Sequence, residues 1–262
     1  MSRYAIGHIL IKSKDLKHDV SVYEKWGFTV TYRTDPQRSH NALIYFRDGS
    51  FLELFDPKPA YMPDRLITML LKLFRHAKSA KIKRFMHYLS CGGGITDYAI
   101  DSVPSEEAEL SLQLSKQAGA RISSITKLSK TLPDGRKQRW WIAIPEEPAL
   151  PFYMSAYDPP VICHNNELTH HNGVQGIDCL VIDVPDVEEA VLQYKPLFPQ
   201  ISESHDPQQY ELVFEKRHRI ILRQADKFRL AEIHLYTSQS RPGNELVLTN
   251  DKQGTKLEHS RR

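Results

Sequence analysis

The sequence predicts an α+β fold of repeated βαβββ modules interrupted by a basic helical insertion, and three observations carry that prediction. A strand, a helix and a tight hairpin follow one another between Tyr4 and Asp56. The same order recurs from Asp97 to Asp158, and the stretch between the two repeats has helical periodicity instead of strand alternation.

Taken in order, Gly7-His8-Ile9-Leu10-Ile11-Lys12 reads as a strand that runs through Asp15-Leu16 into a helix ending at Trp26-Gly27-Phe28. Ala42 to Phe46 and Phe51 to Phe55 read as strands closed by an Asp48-Gly49 turn. His8 and Glu53 stand among apolar neighbours on the first and last of these strands, so alternation places both on one sheet face as a partial metal site. From Tyr61 to Leu89, Leu66, Ile67, Leu70, Leu71 and Phe74 recur at helical spacing among Arg65, Lys72, Arg75, Lys78, Lys81, Lys83 and Arg84. That pattern fits a lid attracting an anionic substrate, a surface for acidic lipid or a partner, or a solvated insertion. Cys91-Gly92-Gly93-Gly94 follows as a joint and lacks the features of a phosphate loop.

The second repeat begins with a strand at Asp97 to Asp101 and a helix from Ser105 to Ala118, with Ser105 as its N-cap and Gly119 as its stop. Ile122 to Leu132, a Pro133-Asp134-Gly135 turn, Gln138 to Ile144 and Phe152 to Tyr157 complete it. Trp140 and Trp141, being adjacent, point to opposite faces, so one of them faces a cavity. A third repeat starts at Ile177 to Val184, continues through Pro185-Asp186-Val187 and a helix to Tyr194, and takes Tyr210 to Phe214, His218 to Arg223 and Ala231 to Tyr236 as its sheet. The resulting division is 1–60 for the first module, 61–93 for the insertion, 94–160 for the second module, 161–176 for a linker, 177–240 for the third module and 241–262 for a polar tail.

In its residues and their order, the chain resembles the glyoxalase-like branch of the vicinal oxygen chelate superfamily. His8, Asp15-Leu16, Trp26-Gly27-Phe28, Asn41 to Phe46 and Glu53 carry the resemblance, followed by Pro133 to Arg136, Leu150-Pro151-Phe152 and His170 to Val174. It spans residues 4 to 190. The resemblance implies paired modules curled into a cup-shaped mixed sheet, with a divalent metal (Mn, Fe, Zn or Ni) held by His8 and Glu53. Glu53 then doubles as proton shuttle, and His40, Asn41, Trp140, Tyr153 and His170 fall to the substrate pocket. The implied chemistry spans lyase, isomerase, transferase and ring-cleaving dioxygenase on a small oxygen-bearing substrate.

The ligand set departs from the family pattern. Aligning helix starts places Cys179 where His8 stands and His234 where Glu53 stands, and in the second module the corresponding positions fall near Asp97 and at Ser155. A complete cage cannot be written, so a metal-free binding or sequestering protein on the same scaffold is the alternative, with no metal at all. Cys163-His164, His170-His171 and Cys179 offer ligands for a structural zinc, but their spacing matches no familiar finger.

Length and composition agree with a globular protein. The chain has 262 residues, 40% of them hydrophobic, enough for a sizeable core, and its net charge of +3 is too small to imply nucleic acid. Three cysteines, an odd number without a paired framework, favour reduced thiols. Met1 to Tyr4 leads into a strand instead of a signal-peptide core and no run approaches a membrane span, so the expected location is cytoplasmic and the expected partners are a small molecule and a second copy in a homodimer. No nucleophile elbow or Walker motif occurs, which argues against hydrolase and nucleotide-triphosphate chemistry.

Overall fold

The computed structural model describes residues 4–58, 64–74, 78–132, 134–199, 201–206, 209–237, 244–250 and 254–261. Among them, two seven-stranded mixed sheets dominate, with few helices. The first runs β2-β3-β1-β4-β7-β6-β5, where β1 is Tyr4–Lys12, β2 Asn41–Tyr45, β3 Phe51–Phe55, β4 Gly94–Ser102, β5 Thr126–Thr131, β6 Lys137–Ala143 and β7 Phe152–Met154. The second runs β14-β13-β12-β8-β11-β10-β9, where β8 is Val174–Val184, β9 Ser202–Asp206, β10 Gln209–Val213, β11 Arg219–Gln224, β12 Arg229–Thr237, β13 Asn244–Asn250 and β14 Thr255–Arg261.

Each sheet is two modules joined along their first strands. β1 pairs antiparallel with β4 and parallel with β3, and β8 pairs antiparallel with β12 and parallel with β11. Bulges fall at matching places, Gly7 and Thr96 in the first sheet and Asp178 and Ala231 in the second. Helix α1 (Leu16–Lys25) is capped by Asp15, whose carboxylate accepts from His18 N–H, and α5 (Val187–Tyr194) is capped in the same way by Asp186. Gly27 and Gly49 take the left-handed conformation that the helix stop and the hairpin turn require.

The sheets share one core. Ile9, Ile11, Leu52, Leu54, Tyr98 and Tyr153 of the first pack in one cluster with Leu180, Ile182, Ile220 and Ile233 of the second and with side chains of α1, α5 and α4 (Ala108–Gln117). The bulges, which leave backbone donors without ladder partners, are closed across the interface. Ile6 N–H donates to His218 Nδ1 at 3.0 Å, Ile177 N–H donates to Asp48 Oδ2 at 3.0 Å, and Asn250 bonds both the N–H and the carbonyl of Ile95. Since His218 Nδ1 accepts, Nε2 carries the proton and donates to Asp48 at 3.2 Å.

Several expectations need correction. The first module keeps a single bridge, Thr31 to Leu43, in place of one strand, because Asp35-Pro36 turns the chain there. Ser105 opens a 3-10 turn after Pro104 and makes no side-chain cap. Ala231 to Tyr236 does not complete the third module: β12 pairs with β8 as β4 pairs with β1, so it starts a fourth, shortened repeat. The segment read as a polar tail contains β13 and β14, in which Leu246, Val247 and Leu248 supply the buried positions. Of Tyr61 to Leu89, residues 61–63 and 75–77 lie outside the described residues, as does Pro133 of the predicted turn. The rest forms α2 (Asp64–Leu73) and α3 (Ala80–Ser90).

Candidate functional site

Strand alternation divides the first sheet cleanly. The face away from the shared core carries Leu10, Phe55, Ala99, Ile144, Phe152 and Met154, which cluster with Ala80 and Tyr88 of α3 and with Ile142, Trp140 and Tyr157. His8 and Glu53 sit on this same concave face. His8 stacks on Phe51 with ring centroids 4.5 Å apart and meets Phe152 edge-on at 5.5 Å. Its Nε2 lies 3.9 Å from Glu53 Oε2, and Glu53 Oε1 accepts from Asn41 Nδ2 at 2.8 Å.

Burial sets the protonation of this pair. His8 is 4% exposed, and desolvation pushes its pKa down to about 3, so the imidazole is neutral. Its buried Nδ1 has no hydrogen-bond partner among the described residues. Burial also raises the Glu53 carboxyl, against the opposing pull of Asn41 and of the Lys130 charge.

Symmetry within the sheet identifies what faces the pair. A rotation that exchanges β1 and β4 superposes the Gly7 and Thr96 bulges, taking His8 to Asp97 and Leu10 to Ala99. Glu53 pairs with Leu10 and Phe152 with Ala99, so Phe152, not Ser155, stands at the position related to Glu53. In the second sheet the same registers place Cys179 at the His8 position and Ile221, not His234, at the Glu53 position. An apolar side chain therefore fills each of those two places.

Asp97 is engaged by the insertion. Arg84 of α3 forks its carboxylate with Nη1 at 2.9 and 2.8 Å, and Arg84 Nη2 donates to the Leu150 carbonyl. The two side chains are 3% and 2% exposed. The Tyr88 hydroxyl and the Tyr98 N–H also donate to Asp97. Burial pushes the Asp97 carboxyl upward while Arg84 and Tyr88 hold it down, with burial prevailing. Helix α3 is thus docked into the cup floor through Arg84, while Arg65, Lys72, Lys78 and Lys81 of the insertion are exposed, as expected of a basic face in solvent. Arg84 breaks the pattern because it lies on the apolar side of the helix beside Ala80 and Tyr88, where only a buried carboxylate makes a guanidinium tolerable.

The remaining expected residues separate into two groups. Asn41 and Trp140 face the cup, Trp140 against Tyr157 at 5.1 Å. Tyr153 does not: it points into the shared core, where its hydroxyl donates to Ser115 Oγ and the Leu197 carbonyl. His170 is bound by backbone, accepting from Thr29 N–H through Nδ1 and donating to the Tyr45 carbonyl between Phe28 and Phe46. His40 is exposed in the loop before β2. Cys163 lies 3.4 Å from Arg33 Nη2, Cys179 is buried, and no group of three metal-ligating side chains occurs among the described residues. No helix among them is long and apolar enough to cross a membrane.

Sequence reading missed Arg84, Gln138, Lys130 and Tyr157. Alternation along β5 and β6 held a signal for two of them: Thr126, Leu128 and Lys130 stand opposite Ile142, Trp140 and Gln138, on the Trp140 face.

The paired modules curled into a cup agree with the fold expected of the vicinal oxygen chelate superfamily, with His8 on the first strand of the first module and Glu53 on its last. Residues 6–198 match the glyoxalase-like domain family, and the chain belongs to that family. No curated protein matches the sequence. Among solved structures, a hypothetical protein from Staphylococcus aureus is similar over 97% of this chain and 98% of its own, at 10% identity and a TM-score of 0.63. An extradiol ring-cleaving dioxygenase from B. fuscum matches 99% of this chain and 73% of its own, at 10% identity and a TM-score of 0.51. The Mn(II)-bound glyoxalase from Novosphingobium aromaticivorans shares 14% identity over 86% of this chain and 63% of its own, with a TM-score of 0.47. At 10% identity, the likeness to the first two is one of fold.

Proposed function

We propose that this glyoxalase-like protein binds a small oxygen-bearing molecule in the cup of its first sheet without a metal ion, with neutral His8 and Glu53 as the polar pair that meets the ligand. The observation that supports this reading is the Arg84–Asp97 fork. A divalent ion beside His8 and Glu53 needs further anionic or neutral donors from the facing wall. There the symmetry-related carboxylate is committed to a guanidinium, and the other related position is Phe152. The residues as arranged do not fit a divalent ion, since a fixed buried cation beside the site also repels a second one.

His8 Nδ1 and Glu53 suit a ligand directly. A neutral imidazole offers one donor and one acceptor, and a carboxyl raised by burial takes or gives a proton near neutrality more readily than an exposed one. A second reading, a metal-dependent lyase, isomerase, transferase or dioxygenase, draws support from the unpaired His8 Nδ1 and the 3.9 Å approach of His8 to Glu53.

Thermal melting separates the two. Wild type and Glu53→Gln are heated with and without Mn, Fe, Zn or Ni, at concentrations on the order of 100 times a plausible dissociation constant. The metal-free reading expects no metal-dependent rise in wild type. A rise that disappears in Glu53→Gln supports the metalloenzyme and refutes it.

A further inference from the structure

Among the described residues, the cup wall opposite Glu53 holds a cation with no carboxylate in ion-pair reach beside an acceptor with no donor. Lys130, half-buried on β5, places its Nζ 5.6 Å from the centre of the Tyr157 ring, and among the described residues no carboxylate lies within ion-pair distance of it. Lys130 stands on the Trp140 face of the β5–β6 ladder, the face that lines the cup with His8 and Glu53; burial lowers its pKa, Arg33 adds to that and Glu53 opposes it. Arg33 itself is occupied, with Nε on the Tyr45 hydroxyl and Nη1 3.1 Å from Glu167. Directly across the β5–β6 ladder stands Gln138, 2% exposed, whose Nε2 donates to the Pro159 carbonyl at 2.7 Å while its buried Oε1 has no partner among the described residues. Thr126 Oγ1, on the same face of β5, is also buried with no partner among the described residues. Trp140 and Tyr157 complete the wall with flat aromatic surface.

Buried polar groups in folded proteins are satisfied, and those left over in a concave site mark where a ligand supplies the missing partner. An ammonium over an aromatic face, half out of water, lacks an anion; a buried carbonyl oxygen lacks a donor; and two aromatic rings favour a planar group.

Resting on the cup reading above, we propose that the ligand is a small planar carboxylic acid: its carboxylate pairs with Lys130, a hydroxyl or amide N–H donates to Gln138 Oε1, and its face lies against Trp140 and Tyr157. A single carboxylate fits better than a phosphate. One ammonium neutralises one charge, the neighbouring guanidiniums are committed to Glu167 and Asp97, and a dianion near Glu53 is left with an uncompensated charge in a partly buried site.

The test is calorimetric titration with a panel of aromatic acids, among them benzoate, 4-hydroxybenzoate and phenylpyruvate, each alongside its neutral amide. Wild type is expected to bind at least one acid about tenfold or more tightly than its amide, as one charge-assisted contact implies. In Lys130→Gln that preference collapses, and in Gln138→Leu the advantage of the hydroxylated acid over benzoate is lost. Circular dichroism confirms the fold of each variant. Acid and amide binding equally, with both lost in Trp140→Ala, overturns the carboxylate assignment and leaves the cup reading standing. Binding of no member of the panel, or a preference unchanged in Lys130→Gln, also overturns the assignment.

Discussion

Replacing Arg84 with methionine should strip Asp97 of its counter-ion while leaving most of the apolar stem in place. The pair is almost wholly out of solvent and doubly bonded at 2.9 and 2.8 Å, so the loss is that of a broken buried pair, about 3–5 kcal/mol, and not the fraction of a kcal/mol typical of a surface bridge. Asp97 then retains only the Tyr88 hydroxyl and the Tyr98 N–H, and its pKa, already raised by burial, climbs further. A carboxyl raised on folding binds a proton more readily in the native state than in the unfolded chain. Its favourable contribution is therefore present below the unfolded value of 3.8 and is lost as pH rises through the folded value. The penalty in Arg84→Met is accordingly greatest at neutral and alkaline pH and shrinks toward acid. Urea denaturation at about pH 7.5 and about pH 5 measures both points, and a double variant with Asp97→Leu should recover most of the loss, because the orphaned charge is removed with its partner. A loss under about 1 kcal/mol at neutral pH, or one that grows on acidification, would refute the coupling of α3 to the cup through this pair.

In the second sheet, burial alone would lower the His234 pKa, but the bonds to Glu232 and Glu245 at 2.9 and 3.0 Å outweigh it and raise the net value. Its contribution is full below the unfolded value of 6.5 and is lost as pH rises through the folded one, so His234→Gln should flatten the alkaline fall of a stability–pH curve. Glu232, pulled down to about 2 chiefly by its bond to His234, contributes above 4.5 and loses that contribution as pH falls through about 2. His8 has the opposite sign to His234: with a folded pKa near 3, it costs stability as pH drops from 6.5 toward that value, and His8→Leu should remove that part of the acid limb. An NMR titration showing His8 protonated above pH 5 would contradict its burial. Asp48→Ala should destabilise the fold by about 1–3 kcal/mol, since Ile177 N–H, Ser50 N–H and His218 Nε2 lose their acceptor; a change near zero in urea denaturation would show that the bulge closures are not structural.

What was legible in the sequence follows from where periodicity is strong. β1, α1 and the β2–β3 hairpin stand close to their expected places because alternation, the Asp15 cap and the Asp48-Gly49 turn are local signals. The same alternation placed His8 and Glu53 on one face, and adjacency set Trp140 and Trp141 on opposite faces. Tyr153 went astray because a residue type says nothing about which face of a strand meets the core, and His170 because its loop folds onto the first module; in each case the polar group is satisfied by backbone from another module. The fourth repeat was hidden because Asn244–Asn250 and Thr255–Arg261 hold few apolar residues, too few for alternation to announce two strands. Arg84 was invisible for a related reason. Its place between Ala80 and Tyr88 at helical spacing sets it apart from Lys81 and Lys83, but only the approach of Asp97 explains why a basic side chain is buried there.

The most direct measurement is the metal content of protein purified without chelator or affinity resin and then dialysed against each of Mn, Fe, Zn and Ni, read by mass spectrometry against protein concentration. The expected result is no stoichiometric ion in wild type, because Arg84 holds Asp97 and keeps a fixed positive charge beside His8 and Glu53. One ion per chain in wild type, lost in Glu53→Gln while the fold is retained, would contradict the metal-free cup.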